Sequence, residues 1–293
     1  MKYLVIKGWL GFGDRLESTK MAIYFAKEHN LKVYIDWTDS IWNHSGESFY
    51  SYFSLQNIPT LNSLDDIPSD ATVYPSYWKD HLKEPFSEEL FGKIKEYKLE
   101  IGTLNTKLKE SINADVIVLS CIGNRTLFND SSFFANIFRV IHPSIINEVK
   151  RRQQTYNLSN CMGIHIRGTD RIKKRRGREI PIQYIVVSAV SSGAFSGKPI
   201  IAISDDPVSF QIWKNYFPQT VLLSNLSLEN SSSKGNHNLN KDDLKASKNE
   251  LNIDMLIDFF TLASCDQIKS TYSDSRFFKE AIRLKPFIKQ ILQ

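Results

Sequence analysis

The sequence lacks the features of several protein classes. It has only three cysteines in 293 residues, Cys121, Cys161 and Cys265, and such an odd, widely spaced set gives neither a disulfide framework nor the spacing of a zinc site. No segment approaches the roughly 20 consecutive apolar residues that span a bilayer, and the apolar run at 3–6 is too short for a signal peptide. We therefore expect a cytoplasmic protein without a transmembrane segment, and peripheral membrane contact stays open.

The charge of the chain is not extreme. The formal net charge is +5, and the contents of 42% hydrophobic and 24% charged residues are ordinary for a globular protein. Much of the positive excess lies in the segment 171–178, with the sequence Arg-Ile-Lys-Lys-Arg-Arg-Gly-Arg. A local basic cluster predicts a polyanionic partner near this segment, and not a surface that coats nucleic acid.

The order of elements predicts an α/β protein with two domains. A length of 293 residues suits two domains of about 150 residues each, and strand-like runs alternate with helical ones in both halves. We predict domains 1–158 and 159–293. The predicted strands are 3–6, 31–36, 115–120, 163–166, 199–206, 220–224 and 267–270, and the clearer helices are 16–29, 133–153, 208–217, 251–264 and 277–283.

The most informative motif is His-Ile-Arg-Gly-Thr-Asp-Arg at 165–171. It follows a buried strand, and open α/β sheets bind ligands beyond the carboxyl ends of their strands. Because the planar guanidinium of Arg167 suits phosphate oxygens, the motif indicates a nucleotide diphosphate site. Taken alone, it fits a surface turn with an internal Arg–Asp pair equally well.

Two further turns follow predicted strands. The glycine-rich segment 8–15 contains Gly11, Gly13 and Arg15, which are candidate donor-binding residues. Its glycines permit close approach of a ligand to a helix N-terminus, or they form a plain tight turn. At the end of the 199–206 strand, Asp205 and Asp206 either bind ribose hydroxyls or cap the helix that begins with the next residue, a proline.

The C-terminal region adds an acidic helix residue and a hydroxyl-rich turn. Asp258 lies on the predicted helix 251–264, and Ser273, Asp274 and Ser275 precede the last helix. The turn offers backbone N–H groups to a phosphate, or supplies an ordinary N-cap. If the three strand-end turns of this half converge, a nucleotide site follows.

These motifs, taken in order, resemble those of the α1,6-fucosyltransferases. The matching segments are His165-x-Arg167-x-x-Asp170-Arg171, Pro181-Ile182-x-Tyr184, Ser204-Asp205-Asp206-Pro207, Asp258-x(7)-Asp266 and the turn at 270–275; the segments 11–15 and 33–37 look most like the bacterial nodulation branch. The resemblance implies a GT-B-like enzyme with two Rossmann-like domains facing a cleft. It also implies a GDP-fucose donor, a glycan acceptor on the N-terminal domain, inversion at the anomeric carbon, and neither a metal nor another cofactor.

The resemblance also implies roles for single residues. Arg167 would hold the β-phosphate, His165 and Asp258 would contact the guanosine, and the turn at 273–275 would meet the phosphates. The family often has a second arginine where this chain has Gly168, and Arg171 with its basic neighbours is the candidate replacement.

The catalytic base has no aligned partner in this sequence. An inverting transfer needs a base near the acceptor hydroxyl, and Asp170 and Glu179 are the available carboxylates. Two other functions stay open on sequence grounds: a transferase for a different nucleotide sugar on the same scaffold, and a non-catalytic module that binds a nucleotide or an anionic glycan. The aromatic residues at 37, 42, 50, 52 and 53 are expected to pack mainly in a core.

Overall fold

The computed structural model describes residues 2–87, 89, 90, 113–120, 130–168, 197–226, 242 and 244–293. The chain forms two compact units. Unit 1 comprises Met1–Ile141 with Lys289–Gln293, and unit 2 comprises His142–Ile288. Among the described residues, no helix is both long enough and apolar enough to cross a bilayer.

Unit 1 contains a parallel sheet with the strand order β2-β1-β5-β4. Its described elements are β1 (Tyr3–Lys7), α1 (Phe12–Glu28), β2 (Lys32–Asp36), β3 (Phe53–Leu55), β4 (Val73–Tyr74), β5 (Val116–Ser120), α2 (Ser131–Ala135) and β6 (Phe138–Val140). Every residue of β5 is buried, as expected for a parallel strand covered on both faces.

Two predicted boundaries in unit 1 are wrong. Helix α1 begins at Phe12, with Gly11 as its N-cap, so Gly13 and Arg15 lie inside the helix and not in a turn before it. The helix predicted over 133–153, with an interruption near Pro143, is divided by a strand, because Phe138–Val140 forms β6, which pairs antiparallel with β3. That pairing joins residues far apart in the sequence, and no local pattern indicates it.

The aromatic segment of unit 1 forms a core, as predicted. Trp37, Tyr52 and Phe53 have no exposed surface, and Trp42 retains 2%. Phe12 contributes a further ring, which lies 6.0 Å from the Phe53 ring in a stacked geometry. These rings are therefore committed to packing in unit 1.

Unit 2 contains a second parallel sheet, with the order β10-β7-β8-β9. Its described elements are α3 (Pro143–Tyr156), β7 (Met162–Ile166), β8 (Ile200–Ser204), α4 (Pro207–Tyr216), β9 (Val221–Leu222), α5 (Lys248–Ala263), β10 (Gln267–Ser270), α6 (Arg276–Leu284) and α7 (Ile288–Ile291), of which α7 continues into unit 1. A capping box between Ser247 and Glu250 starts α5, three residues earlier than predicted.

The boundary between the compact units lies one helix before the predicted division at 158/159. Helix α3 packs against α5, and side-chain hydrogen bonds join Arg152 to Asp258 and Gln153 to Ser264. These contacts place α3 in unit 2. The α/β class and the two Rossmann-like units are confirmed.

Candidate nucleotide site

The strand order of unit 2 places the predicted turns side by side. From β7 the chain proceeds through β8 and β9 on one side of the sheet, and β10 then pairs with the other side of β7. This reversal makes the carboxyl end of β7 a topological switch point, where open α/β sheets bind ligands. The turns after β7, β8 and β10 therefore meet at one edge of the sheet, as expected from the sequence.

His165 lies at this edge and is almost fully buried. It pairs in register with Ser270 of β10, its Nδ1 lies 3.1 Å from the Ser270 hydroxyl, and its ring stacks on Phe277 at 5.2 Å. Burial, with a smaller contribution from the charge of Arg167, lowers the pKa of His165 to about 3. The imidazole is therefore neutral at physiological pH.

Arg167 is held by groups from both neighbouring strands. Its backbone N–H donates to the Thr271 hydroxyl after β10 (3.0 Å), and its Nη1 lies 2.6 Å from Oδ2 of Asp205 after β8. The other carboxylate oxygen of Asp205 accepts from the Gly168 N–H at 3.0 Å. The Arg167 side chain retains 21% exposure, so a cation is both positioned and accessible at the switch point.

Gly168 has no room for a side chain. A Cβ atom there would collide with the side chains of Asp206 and Ser209. Asp206 is the N-cap of α4 and accepts from the backbone N–H groups of Val208 and Ser209. The second arginine often found in the resembling family therefore has no space at this position.

The turn after β10 contains the predicted N-cap of the last long helix. Ser275 caps α6 by accepting from the Phe278 N–H. Ser273 and Asp274 are exposed, and Asp274 lies 3.6 Å from the Lys279 ammonium. An ion pair with Lys279 compensates the negative charge of Asp274 close to the predicted phosphate position.

Asp258 belongs to a buried network that the sequence did not reveal. Its carboxylate accepts from Nη1 of Arg152 at 3.0 Å and from the Ser224 hydroxyl at 2.5 Å. Burial, reinforced by the charge of Asp254, raises the pKa of Asp258 to about 7.

Arg152 supplies the network's positive charge from α3. It also donates to the Leu223 carbonyl, and it continues the buried stripe of Ile145 and Val149. A charged residue that falls on the buried face of a helix needs a buried partner of opposite charge. The spacing of Arg152 from Ile145 and Val149 is therefore the sequence signal that could have revealed this network.

Arg15, predicted to bind the donor, lies in the interior of unit 1. Its side chain is fully buried in unit 1, where Nη1 and Nη2 donate to the two oxygens of Asp39 at 2.8 and 2.6 Å, and Nε donates to the Leu10 carbonyl. These contacts hold Leu10 in a left-handed conformation with φ of 67°. A guanidinium without exposed surface stabilises the turn, and in this conformation it does not contact a ligand.

The remaining predicted site residues lie in unit 1 or outside the described residues. Gly11 and Gly13 lie at the start of α1, beyond the carboxyl end of β1 in unit 1. Asp170, Arg171 and Glu179 lie outside the described residues, as does the basic segment 171–178. No cluster of three or more metal-ligating side chains occurs among the residues described.

Comparison with solved structures identifies the fold. NodZ α-1,6-fucosyltransferase soaked with GDP-fucose matches with a TM-score of 0.65 and 18% identity, covering 97% of this chain and 93% of that chain. POFUT1 in complex with GDP matches with a TM-score of 0.55 and 13% identity, covering 98% and 96%. A mutant of Arabidopsis thaliana FUT1 in complex with GDP matches with a TM-score of 0.52 and 12% identity, covering 97% and 69%. This chain shares the two-domain, Rossmann-like GT-B fold of these structures.

The sequence itself matches no protein-family model and no curated protein. At identities of 12–18%, the structural matches establish the fold, and the chemistry of the site has to be argued from the residues present in this chain.

Proposed function

We propose that this protein is an inverting, metal-independent glycosyltransferase that transfers fucose from GDP-fucose to a glycan acceptor. The main observation in support of this proposal is that His165, Arg167 and the 271–275 turn converge at the topological switch point of unit 2. This combination offers a neutral aromatic heterocycle, an accessible guanidinium and a helix N-terminus to one ligand. A purine nucleoside diphosphate has the complementary groups.

Arg167 is proposed to stabilise the leaving group. Negative charge grows on the diphosphate as the glycosidic bond breaks, and a cation fixed in advance stabilises that charge more in the transition state than in the ground state. The contacts with Thr271 and Asp205 fix the backbone and side chain of Arg167. Because metal-free transfer has no divalent ion to fulfil this role, it falls to the guanidinium.

The guanosine is proposed to lie near His165 and Asp258. A neutral His165 ring is suited to hydrogen bonding and stacking without a charge to desolvate. In this conformation the two oxygens of Asp258 accept from Arg152 and Ser224, so a contact with the N1–H and amino groups of guanine requires these hydrogen bonds to open. Two of the matching structures contain GDP and a third was soaked with GDP-fucose, which supports this choice of base and sugar.

The remaining assignments belong to the same proposal. Unit 1 would bind the acceptor, Gly11 and Gly13 at the start of α1 would contact the donor, and Arg171 would add a second cation near the diphosphate. Asp170 and Glu179 are the two candidates for the base. We also propose a cytoplasmic location, where a GDP-sugar donor is available.

The first experiment measures donor use. Binding of GDP by calorimetry, and hydrolysis across a panel of nucleotide sugars with and without EDTA, should show preference for GDP-fucose and insensitivity to the chelator. Preferential turnover of another nucleotide sugar would indicate the related transferase, whereas GDP binding without any turnover would indicate a binding module. Absence of GDP binding would overturn the proposal.

The second experiment tests the proposed role of Arg167. Arg167→Ala should lower kcat on the order of a hundredfold or more, the usual effect of losing such an electrostatic contact. Arg151→Ala is the matched control, because Arg151 is an exposed arginine paired with Glu148 on α3. Turnover of the Arg167 variant within a few-fold of the wild-type value would exclude the leaving-group role.

A third experiment separates the two candidate bases. Asp170→Asn and Glu179→Gln should be compared for transfer to an acceptor and for donor hydrolysis. The variant of the base should lose transfer while retaining GDP affinity, since a base acts on the acceptor hydroxyl and not on the donor. Retention of transfer by both variants would place the base elsewhere.

A further inference from the structure

We propose that Asp205 is a positioning residue, which orients Arg167 for catalysis and does not itself bind the ribose of the donor. This inference rests on the proposed function, because it concerns how that site holds its cation. It also replaces the expectation from the sequence, in which Asp205 contributes to the donor contacts.

The contacts of Asp205 provide the first support. One carboxylate oxygen lies 2.6 Å from Nη1 of Arg167, and the other accepts from the Gly168 N–H at 3.0 Å. A single carboxylate thus connects the side chain of one residue to the backbone of the next. This arrangement fixes the direction of the guanidinium relative to the end of β7.

The second support is the position of the pair in the sheet. Asp205 follows β8, Thr271 follows β10, and Arg167 lies between them after β7. Asp205 and Thr271 therefore hold Arg167 from opposite sides, one through the guanidinium and one through the backbone N–H. The adjacent Asp206 has a separate task, since its side chain caps α4.

The third support is electrostatic. A carboxylate beside the diphosphate repels it, so Asp205 offsets part of the attraction between Arg167 and GDP. An acid that opposes ground-state binding benefits the enzyme only if it improves the geometry of the cation as charge develops. Asp205 should therefore contribute to kcat and contribute little, or unfavourably, to GDP affinity.

The test is a separation of kcat from affinity in Asp205→Ala. We expect kcat for GDP-fucose to fall about tenfold to a hundredfold, the range associated with a misplaced catalytic group, while the variant binds GDP at least as tightly as the wild type. Asp205→Asn should give an intermediate kcat, because its amide oxygen replaces only one of the two acceptors.

The matched control is Asp266→Asn. Asp266 also pairs with a cation, Lys198, but it lies just before the amino end of β10, whereas the candidate site lies at the carboxyl ends of the strands. The Asp266→Asn variant should therefore have the same kcat and the same GDP affinity as the wild type. Thermal unfolding of each variant, alone and with GDP, identifies any loss that comes from destabilisation.

The outcomes distinguish this inference from the proposed function. If wild-type protein fails to bind GDP, the proposed function fails. If wild-type protein binds GDP and Asp205→Ala keeps its kcat, the positioning role is wrong. It is also wrong if the variant binds GDP more weakly and no longer discriminates GDP from 2′,3′-dideoxy-GDP, because that result assigns Asp205 to the ribose.

Discussion

The buried carboxyl of Asp258 predicts a specific dependence of stability on pH. Burial raises its pKa from an ordinary 3.8 to about 7, although Arg152 and Ser224 both favour the charged form. A carboxyl whose pKa is higher in the folded than in the unfolded state binds more protons when folded between those two values. Its contribution to the free energy of unfolding therefore falls as the pH rises from about 4 to about 7.

The magnitude follows from the difference between the two pKa values. About three pH units at 1.36 kcal/mol each correspond to about 4 kcal/mol, an order-of-magnitude value for a group without solvent exposure. Asp258→Asn removes the titration and keeps the shape, since its amide oxygen accepts from Arg152 and its amide nitrogen donates to Ser224. The stability of the variant relative to wild type should therefore increase by up to about 4 kcal/mol between pH 4 and pH 8.

The assay is denaturant unfolding monitored by circular dichroism at intervals of one pH unit. Glu148→Gln is the control, because its pKa is lowered to about 2, chiefly by its hydrogen bond with Arg151. The titration of Glu148 lies below pH 5, so that variant should show a constant difference from wild type between pH 5 and pH 8. A constant difference for Asp258→Asn over its predicted window, or one that decreases with pH, would refute the reasoning. It would show that Arg152 outweighs burial.

Three further substitutions test the packing around the sites. Gly168→Ala should lower the melting temperature, because the added Cβ displaces the Asp206 cap of α4 at a cost of about 1–3 kcal/mol; an unchanged melting temperature would contradict this. Arg15→Lys loses the bidentate contact with Asp39 and should lose stability but not GDP affinity by calorimetry; weaker GDP binding without destabilisation would restore the donor-binding role. Lys7→Met removes the ion-pair partner of the buried Asp36 and should lose about 3–5 kcal/mol in denaturant unfolding; near-wild-type stability would contradict this.

The sequence predicted much of unit 2 because its informative features are local. Runs such as Ile200–Ser204 are apolar, and the turns that follow them contain the polar residues of the site. Parallel strands place their carboxyl ends at one edge, so convergence follows once the strands are correctly assigned. The contact between Arg167 and Asp205 is a direct consequence.

The parts that sequence reasoning missed depend on distant contacts. Strand β6 exists through its pairing with β3, more than 80 residues earlier in the chain. Arg152 acquires its role through Asp258, which lies 106 residues away. Arg15 illustrates a different failure: a glycine-rich segment before a helix resembles an anion site, but the arginine within it turns inward to Asp39. Residue type and spacing do not determine whether a cation faces a ligand or a buried acid.

In the proposed mechanism, the occlusion at Gly168 leaves Arg167 without an arginine beside it, and Asp205 orients Arg167 instead. Two adjacent arginines would restrict each other through the shared diphosphate, but Asp206 and Ser209 occupy the space for a second side chain. A single long guanidinium has many rotamers, and ordering it costs up to about 2 kcal/mol. The contacts of Arg167 with Asp205 and Thr271 order it during folding, so this entropy is not lost when the donor binds. Under the proposed function, Asp205 would weaken the attraction between Arg167 and the phosphates but would keep the guanidinium aligned at the bond that breaks. We therefore predict that Asp205 raises kcat without raising the affinity for GDP.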